Sequence, residues 1–147
     1  MWWRGGPDVE GDYMGADVNI KIIQDVYEAF GRGDVAAVLD AVADDVDWAA
    51  EAAGSGAPWY GVRHSKGEVM KFFEAFGTAM EVEEWTPLAY AASDADVHAV
   101  VRIRSRSRAT GKSVAMNLHH FFTLRDGKIV YYRGTEDTAQ TEAALRA

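Results

Sequence analysis

Between residues 119 and 137 the chain reads HHFFTLRDGKIVYYRGTED, two histidines, an arginine and a closing acidic pair set among strand-forming residues. An imidazole titrates near neutral pH, and a carboxyl group in apolar surroundings can act as a general acid or base, so the direction in which these groups point decides what they can do. Asp126–Gly127 between strand residues is the signal of a two-residue type I′ hairpin, which needs positive φ at both central positions. That turn sets Arg125 opposite Lys128. With unbroken alternation it also sets Phe122 opposite Tyr131, His120 opposite Arg133, Leu118 opposite Thr135 and Met116 opposite Asp137. A preceding strand closed by a Thr110–Gly111 turn adds Val97, Ala99, Val101, Ile103 and Ser105 to the same face and sends His98, Arg102, Arg104 and Arg106 to the other. The first face is therefore the inner one. It is apolar at one end and carries His120, Arg133 and Asp137 at the other, with Tyr131 and Thr135 alongside. Charges on a core-side face must pair, reach water or line a cavity. Two arrangements meet that demand: an Arg133–Asp137 pair reaching solvent at a fraying sheet end, or a cavity shared by all three groups. His120 is likewise either a hydrogen-bonded core histidine or a group offered to a ligand.

The elements that must position these residues follow from periodicity. Ile22, Ile23, Val26, Tyr27 and Phe30 recur at helical spacing and predict a helix over 17–30, ended by Gly31 and Gly33. Asp34 is placed to cap a second short helix running to Val42. A short strand follows over 44–50, then a loop over 53–61 dense in glycine and alanine, then a helix over 66–80 with Val69, Phe72, Phe73 and Phe76 inward. Four strands, 81–92, 97–108, 113–124 and 129–137, complete a meander, so three helices precede most of the sheet. Tyr27, Trp48, Trp59, Tyr60 and Phe73 either wall an aromatic ligand site or form core. Residues 1–16 show no periodicity and read as a flexible tail ahead of one domain over 17–147.

Composition narrows the function. With 147 residues, 48% hydrophobic and 26% charged, one folded domain is expected. The net charge of −8 and pI near 4.9 disfavour nucleic acid. RIRSRSR at 102–108 is what one exposed strand face produces. There is no cysteine, which removes disulfides and thiolate chemistry and gives no sign of an oxidising compartment. No apolar run is long enough for a membrane span and no secretory pattern opens the chain, so a cytoplasmic protein without membrane contact is expected. His64, His98, His119 and His120 have no metal-ligand spacing, and no nucleophile elbow, phosphate loop or dinucleotide fingerprint occurs. Neither metal nor cofactor is expected.

YEAFGRGD at 27–34, ADDVDW at 43–48, PWYG at 58–61, EVMKFFEAF at 68–76 and LRDGKIVYY followed by DTA and AL over 124–145 together resemble the SnoaL-like family of the nuclear transport factor 2-like (ketosteroid isomerase-like) superfamily. The resemblance spans about residues 17–145. It implies an α+β fold in which a strongly curved mixed or antiparallel sheet wraps three helices around a deep, mostly apolar pocket, in the order αα-β-α-ββββ. A homodimer through the outer sheet face is also implied, and Phe121, Val130, Tyr132 and Val100 supply that face with apolar groups. Asp137 falls where SnoaL-like cyclases carry an acid/base aspartate. His120 falls close to where ketosteroid isomerases hold a second, protonated acid. The isomerase base position is occupied by Ala50, next to Glu51, and the oxyanion tyrosine is one position off at Tyr27, so steroid isomerisation is not implied. Epoxide hydrolysis is disfavoured because Arg102 and Arg104 lack an acidic partner and face outward.

The expectation is a cofactor-independent acid/base enzyme of isomerase, cyclase, lyase or hydrolase type acting on a small apolar or polyketide-like carbonyl compound. Asp137 would move the proton, His120 would donate to the developing enolate and Arg133 would orient Asp137. Tyr27, Trp48, Trp59, Phe73, Met116, Leu118, Tyr131 and Thr135 would contact an apolar or aromatic ligand. The rival from another class is a ligand-binding or dimeric scaffold module without chemistry.

Overall fold

The computed structural model describes residues 15–147. Helix α1 (Ala16–Gly31) is followed by α2 (Val35–Asp40), strand β1 (Val42–Ala50), strand β2 (Gly61–Arg63), helix α3 (Lys66–Ala79), strands β3 (Met80–Ala92), β4 (Asp96–Ser107), β5 (Ser113–Arg125) and β6 (Lys128–Thr135), and helix α4 (Thr138–Leu145). One six-stranded sheet runs in the order β2-β1-β6-β5-β4-β3. It is mixed, because β1 lies parallel to β6 while every other neighbouring pair is antiparallel. The α+β class, the three leading helices and the meander are as the periodicity predicts. The tail assigned to 1–16 lies outside the described residues except at its end, where Ala16 already belongs to α1.

Two elements were not legible. Strand β2 has only three residues and lengthens the edge beside β1. Helix α4 carries little amphipathic pattern, yet its start is encoded: Asp137 accepts a hydrogen bond from the Gln140 backbone amide at 3.2 Å, the geometry of an N-cap. An acid followed three residues later by Gln was the available signal. Asp34 caps α2 in the same way through the Ala37 amide, as expected, although α2 stops at Asp40 and Val42 already opens β1.

The Asp126–Gly127 turn has φ of 53° and 74°, the positive pair of a type I′ turn. Arg125 pairs with Lys128 and Leu124 with Ile129. The next pair is Thr123 with Tyr131, so Val130 is an extra residue and the ladder carries a β-bulge. Beyond it Phe122 faces Tyr132, Phe121 faces Arg133, and His120 faces Gly134. The unbroken register predicted from the turn is therefore corrected by one residue. Because side chains alternate with period two, that slip exchanges the faces of Tyr131, Tyr132, Arg133 and Gly134. On the β4–β5 side the predicted faces hold, although the observed pairs, Val97 with Phe122, Ala99 with His120, Val101 with Leu118 and Ile103 with Met116, lie two residues from those a two-residue Thr110–Gly111 turn would set, a shift that leaves every side chain on its face.

The core fills the concave face of the sheet beneath α1 and α3. Ile23, Val69, Val97, Val101, Ile129, Phe122 and Leu124 are essentially without solvent contact. Asn19 of α1, also buried, donates from Nδ2 to the Asp94 carbonyl at 2.8 Å, fastening the helix to the β3–β4 turn. Removing Val130 by deletion is expected to abolish cooperative unfolding, since restored alternation would put Arg133 in the core. Val130→Ala keeps the bulge and is expected to cost only about 2 kcal/mol in urea denaturation.

Candidate functional site

Under the curved sheet, α1, α3, β1 and β3–β6 enclose a mostly apolar cavity of about 100 Å³. Its wall includes Tyr27, Trp48, Trp59, Phe73, Met116, Leu118, His120 and Thr135, all expected there from sequence. Tyr27 occupies the fourth turn of α1 and is 4% exposed; its hydroxyl lies 2.7 Å from His120 Nδ1 on β5. The His120 ring is packed edge-on against Phe122 and Tyr132. Burial, with a smaller contribution from the neighbouring His119, pushes the His120 imidazole down to about 3. It is neutral at physiological pH, because the low-dielectric wall disfavours the imidazolium.

The register shift decides the rest of the wall. Tyr132, Gly134 and Glu136 face the cavity, whereas Tyr131 and Arg133 face outward. Trp59 Nε1 donates to Glu136 Oε1 at 3.2 Å, and the buried Thr141 hydroxyl of α4 donates to Oε2. The Tyr132 ring lies 4.0 Å from that of Trp48. Its hydroxyl is kept protonated by burial, reinforced by the Glu136 charge. Gly134 is required beside it: a Cβ there would stand 2.2 Å from the Tyr132 hydroxyl and 3.3 Å from the His120 ring.

The expected grouping of Asp137, His120 and Arg133 does not form. Asp137 is exposed and spent on capping α4. Arg133 lies on the outer face, its guanidinium 2.9 Å from Asp47 Oδ1 and 3.6 Å from Glu51 Oε1 and stacked 4.4 Å over the Tyr131 ring. Tyr131 is thus also removed from the ligand wall. Of the three, only His120 reaches the cavity. Tyr132 and Val130, placed on the outer face by the unbroken register, are both buried. Glu136 was assigned outward by the same reading. The signal for it was the run Ile129–Val130–Tyr131–Tyr132, four consecutive strand formers that permit two registers. Among the described residues no group of His, Asp or Glu is arranged to hold a metal ion, and no helix is long and apolar enough to cross a membrane.

A curved mixed sheet closed by N-terminal helices over an apolar cavity defines the NTF2-like fold. Residues 23–132 match the model of the SnoaL-like domain, and the chain belongs to that family. No curated protein matches it. Among solved structures, an NTF2-like protein of unknown function from Burkholderia pseudomallei K96243 superposes with a TM-score of 0.82 at 26% identity, over 88% of this chain and 98% of that one. A provisionally named polyketide cyclase from Xanthomonas campestris pv. campestris superposes with a TM-score of 0.71 at 19% identity, over 88% and 98% of the two chains. TerC, co-crystallized with polyporic acid, gives a TM-score of 0.77 at 19% identity over 88% and 98%.

Because the depressed imidazole binds its proton in the unfolded chain from about pH 6.5 downward and in the folded chain only near 3, the unfolded state holds more protons between those limits. Stability is therefore complete above pH 6.5 and is lost as pH falls toward 3. Between pH 7 and pH 5 this one group is expected to remove about 2 kcal/mol. Urea denaturation at the two pH values, compared with His120→Gln, checks it: the variant should show a correspondingly smaller loss.

Proposed function

We propose that the cavity catalyses proton transfer on a small apolar or polyketide-like carbonyl compound, with Glu136 as the base and His120 facing the carbonyl oxygen. The observation that carries this reading is that one carboxylate and one neutral imidazole share an otherwise apolar wall. A positioned carboxylate can take a proton from carbon, and a neutral donor aimed at the oxygen stabilises the charge that develops on it. Trp59 and Thr141 fix the carboxylate from two sides without neutralising it, leaving lone pairs for a substrate C–H. The proton count closes without a redox partner: the proton taken by Glu136 returns to carbon in isomerisation, to the enolate oxygen in enolisation and to the alkoxide oxygen formed in an aldol cyclisation. Isomerisation, cyclisation by an intramolecular aldol step and simple enolisation share this first step.

The names of structural neighbours support the substrate class. One is provisionally a polyketide cyclase, and another was co-crystallized with polyporic acid. The enclosing rings of Tyr27, Trp48, Phe73, Trp85 and Tyr132 suit a flat ring system.

The test is exchange of the α-protons of 2-tetralone for solvent deuterium, followed by NMR. Glu136→Gln is expected to slow the protein-dependent exchange by about 10²–10⁴-fold. Asp137→Asn, which keeps a capping side chain, should leave the rate within about twofold of the parent. Equal exchange by the parent and by Glu136→Gln would refute the assignment.

A further inference from the structure

Beyond its acid and base, the cavity has an unbalanced set of hydrogen-bonding groups. Tyr27 and His120 share a single contact at 2.7 Å, and either could be the donor. The phenol settles which. It carries one proton, burial holds it protonated, and among the described residues its oxygen has no other hydrogen-bond partner than His120 Nδ1. Were Nδ1–H the donor, the Tyr27 proton would be left unsatisfied in a buried site, which costs about 1–3 kcal/mol. With Tyr27 as donor, Nδ1 accepts and the ring's one proton sits on Nε2. Nε2 in turn has no partner among the described residues.

The other N–H groups on the same wall point to the same chemistry. Trp48 and Trp85 both line the cavity, and the Nε1 of each is buried without a hydrogen-bond partner. On the acceptor side, each Glu136 oxygen already receives a hydrogen bond, the Thr135 hydroxyl donates to the His119 carbonyl, and the Gly134 carbonyl accepts from the Glu51 amide. The Ser105 and Tyr132 hydroxyls can serve either way. Fixed donors therefore outnumber fixed, unengaged acceptors.

We propose that Tyr27 is a positioning residue that locks His120 as its Nε2–H tautomer, and that the cavity in consequence selects flat ring compounds carrying carbonyl oxygens over the parent hydrocarbons. This rests on the carbonyl group lying in the cavity, as in the reaction proposed above, but not on Glu136 acting as a base. A ligand lacking the oxygen leaves Nε2–H unpaired. Discrimination of this kind exceeds what the loss of one methylene produces in an apolar pocket, because a polar group stays buried and unsatisfied.

Two measurements test the proposal. In the ligand-free protein, ¹⁵N NMR of labelled histidine, with His120 identified by its absence in His120→Gln, is expected to show an unprotonated Nδ1 and a protonated Nε2; a protonated Nδ1 overturns the assignment. Binding of 2-tetralone and of tetralin is then followed by tryptophan fluorescence. The ketone is expected to bind about tenfold more tightly than tetralin, with that advantage lost in Tyr27→Phe. Equal affinity for ketone and hydrocarbon, or an unchanged advantage in Tyr27→Phe, overturns the selectivity. Both readouts are independent of turnover, so they can succeed where the Glu136→Gln exchange experiment fails, and the reverse.

Discussion

One inserted residue governs the chemistry of this cavity. Val130 adds a bulge to the β5–β6 ladder, and the side chains from Tyr131 to Gly134 are delivered to the faces opposite those expected from the turn, as is Glu136. Tyr132, Gly134 and Glu136 enter; Tyr131 and Arg133 leave. A bulge also increases local twist, which suits a sheet that must curl over α1 and α3. Arg133 gains from its exit. On the outer face it meets Asp47 of β1, brought alongside because β1 runs parallel to β6 with Ala49 beside Arg133. A guanidinium left in the apolar wall would have had no comparable partner.

The remaining polar groups are tolerated inside because each is partnered or uncharged. His120 sheds its charge and takes a bond from Tyr27. Glu136 keeps two donors, one from the loop after β1 and one from α4. Helix α4, although short, is therefore part of the site: Thr141 reaches Glu136, the Gln140 side chain accepts from the Ala115 amide at 2.6 Å, and Thr110 donates to the Ala144 carbonyl at 2.5 Å. Asp137 contributes by starting that helix. It stands next in the chain to the carboxylate that faces the cavity, so a shift of one residue in the strand exchanges the two acids.

Close packing makes the arrangement specific. Gly134 lies opposite His120 with no room for a methyl group beside the Tyr132 hydroxyl. The Tyr132 ring is held between Trp48 and Phe122 at centroid distances of 4.0 and 5.1 Å. The imidazole, the phenols and the indoles are therefore set relative to one another by shape as well as by hydrogen bonds, and interiors packed to this degree offer side chains few alternative rotamers.

What local sequence could determine, it did. Helical spacing located α1 and α3, Asp34 capped α2, and Asp126–Gly127 defined the hairpin and its type. The alternation along β4 and β5 placed Arg102 and Arg104 on the face opposite Val97, Val101 and His120. These are short-range consequences of φ preference, capping and period. The bulge, the parallel pairing of β1 with β6 and the docking of α4 were decided by tertiary structure alone. Ile129–Val130–Tyr131–Tyr132 is equally compatible with two registers, and only the choice between burying Tyr132 and burying Arg133 separates them. That choice is settled by desolvation and by partners, such as Asp47 and Trp59, that lie tens of residues away along the chain.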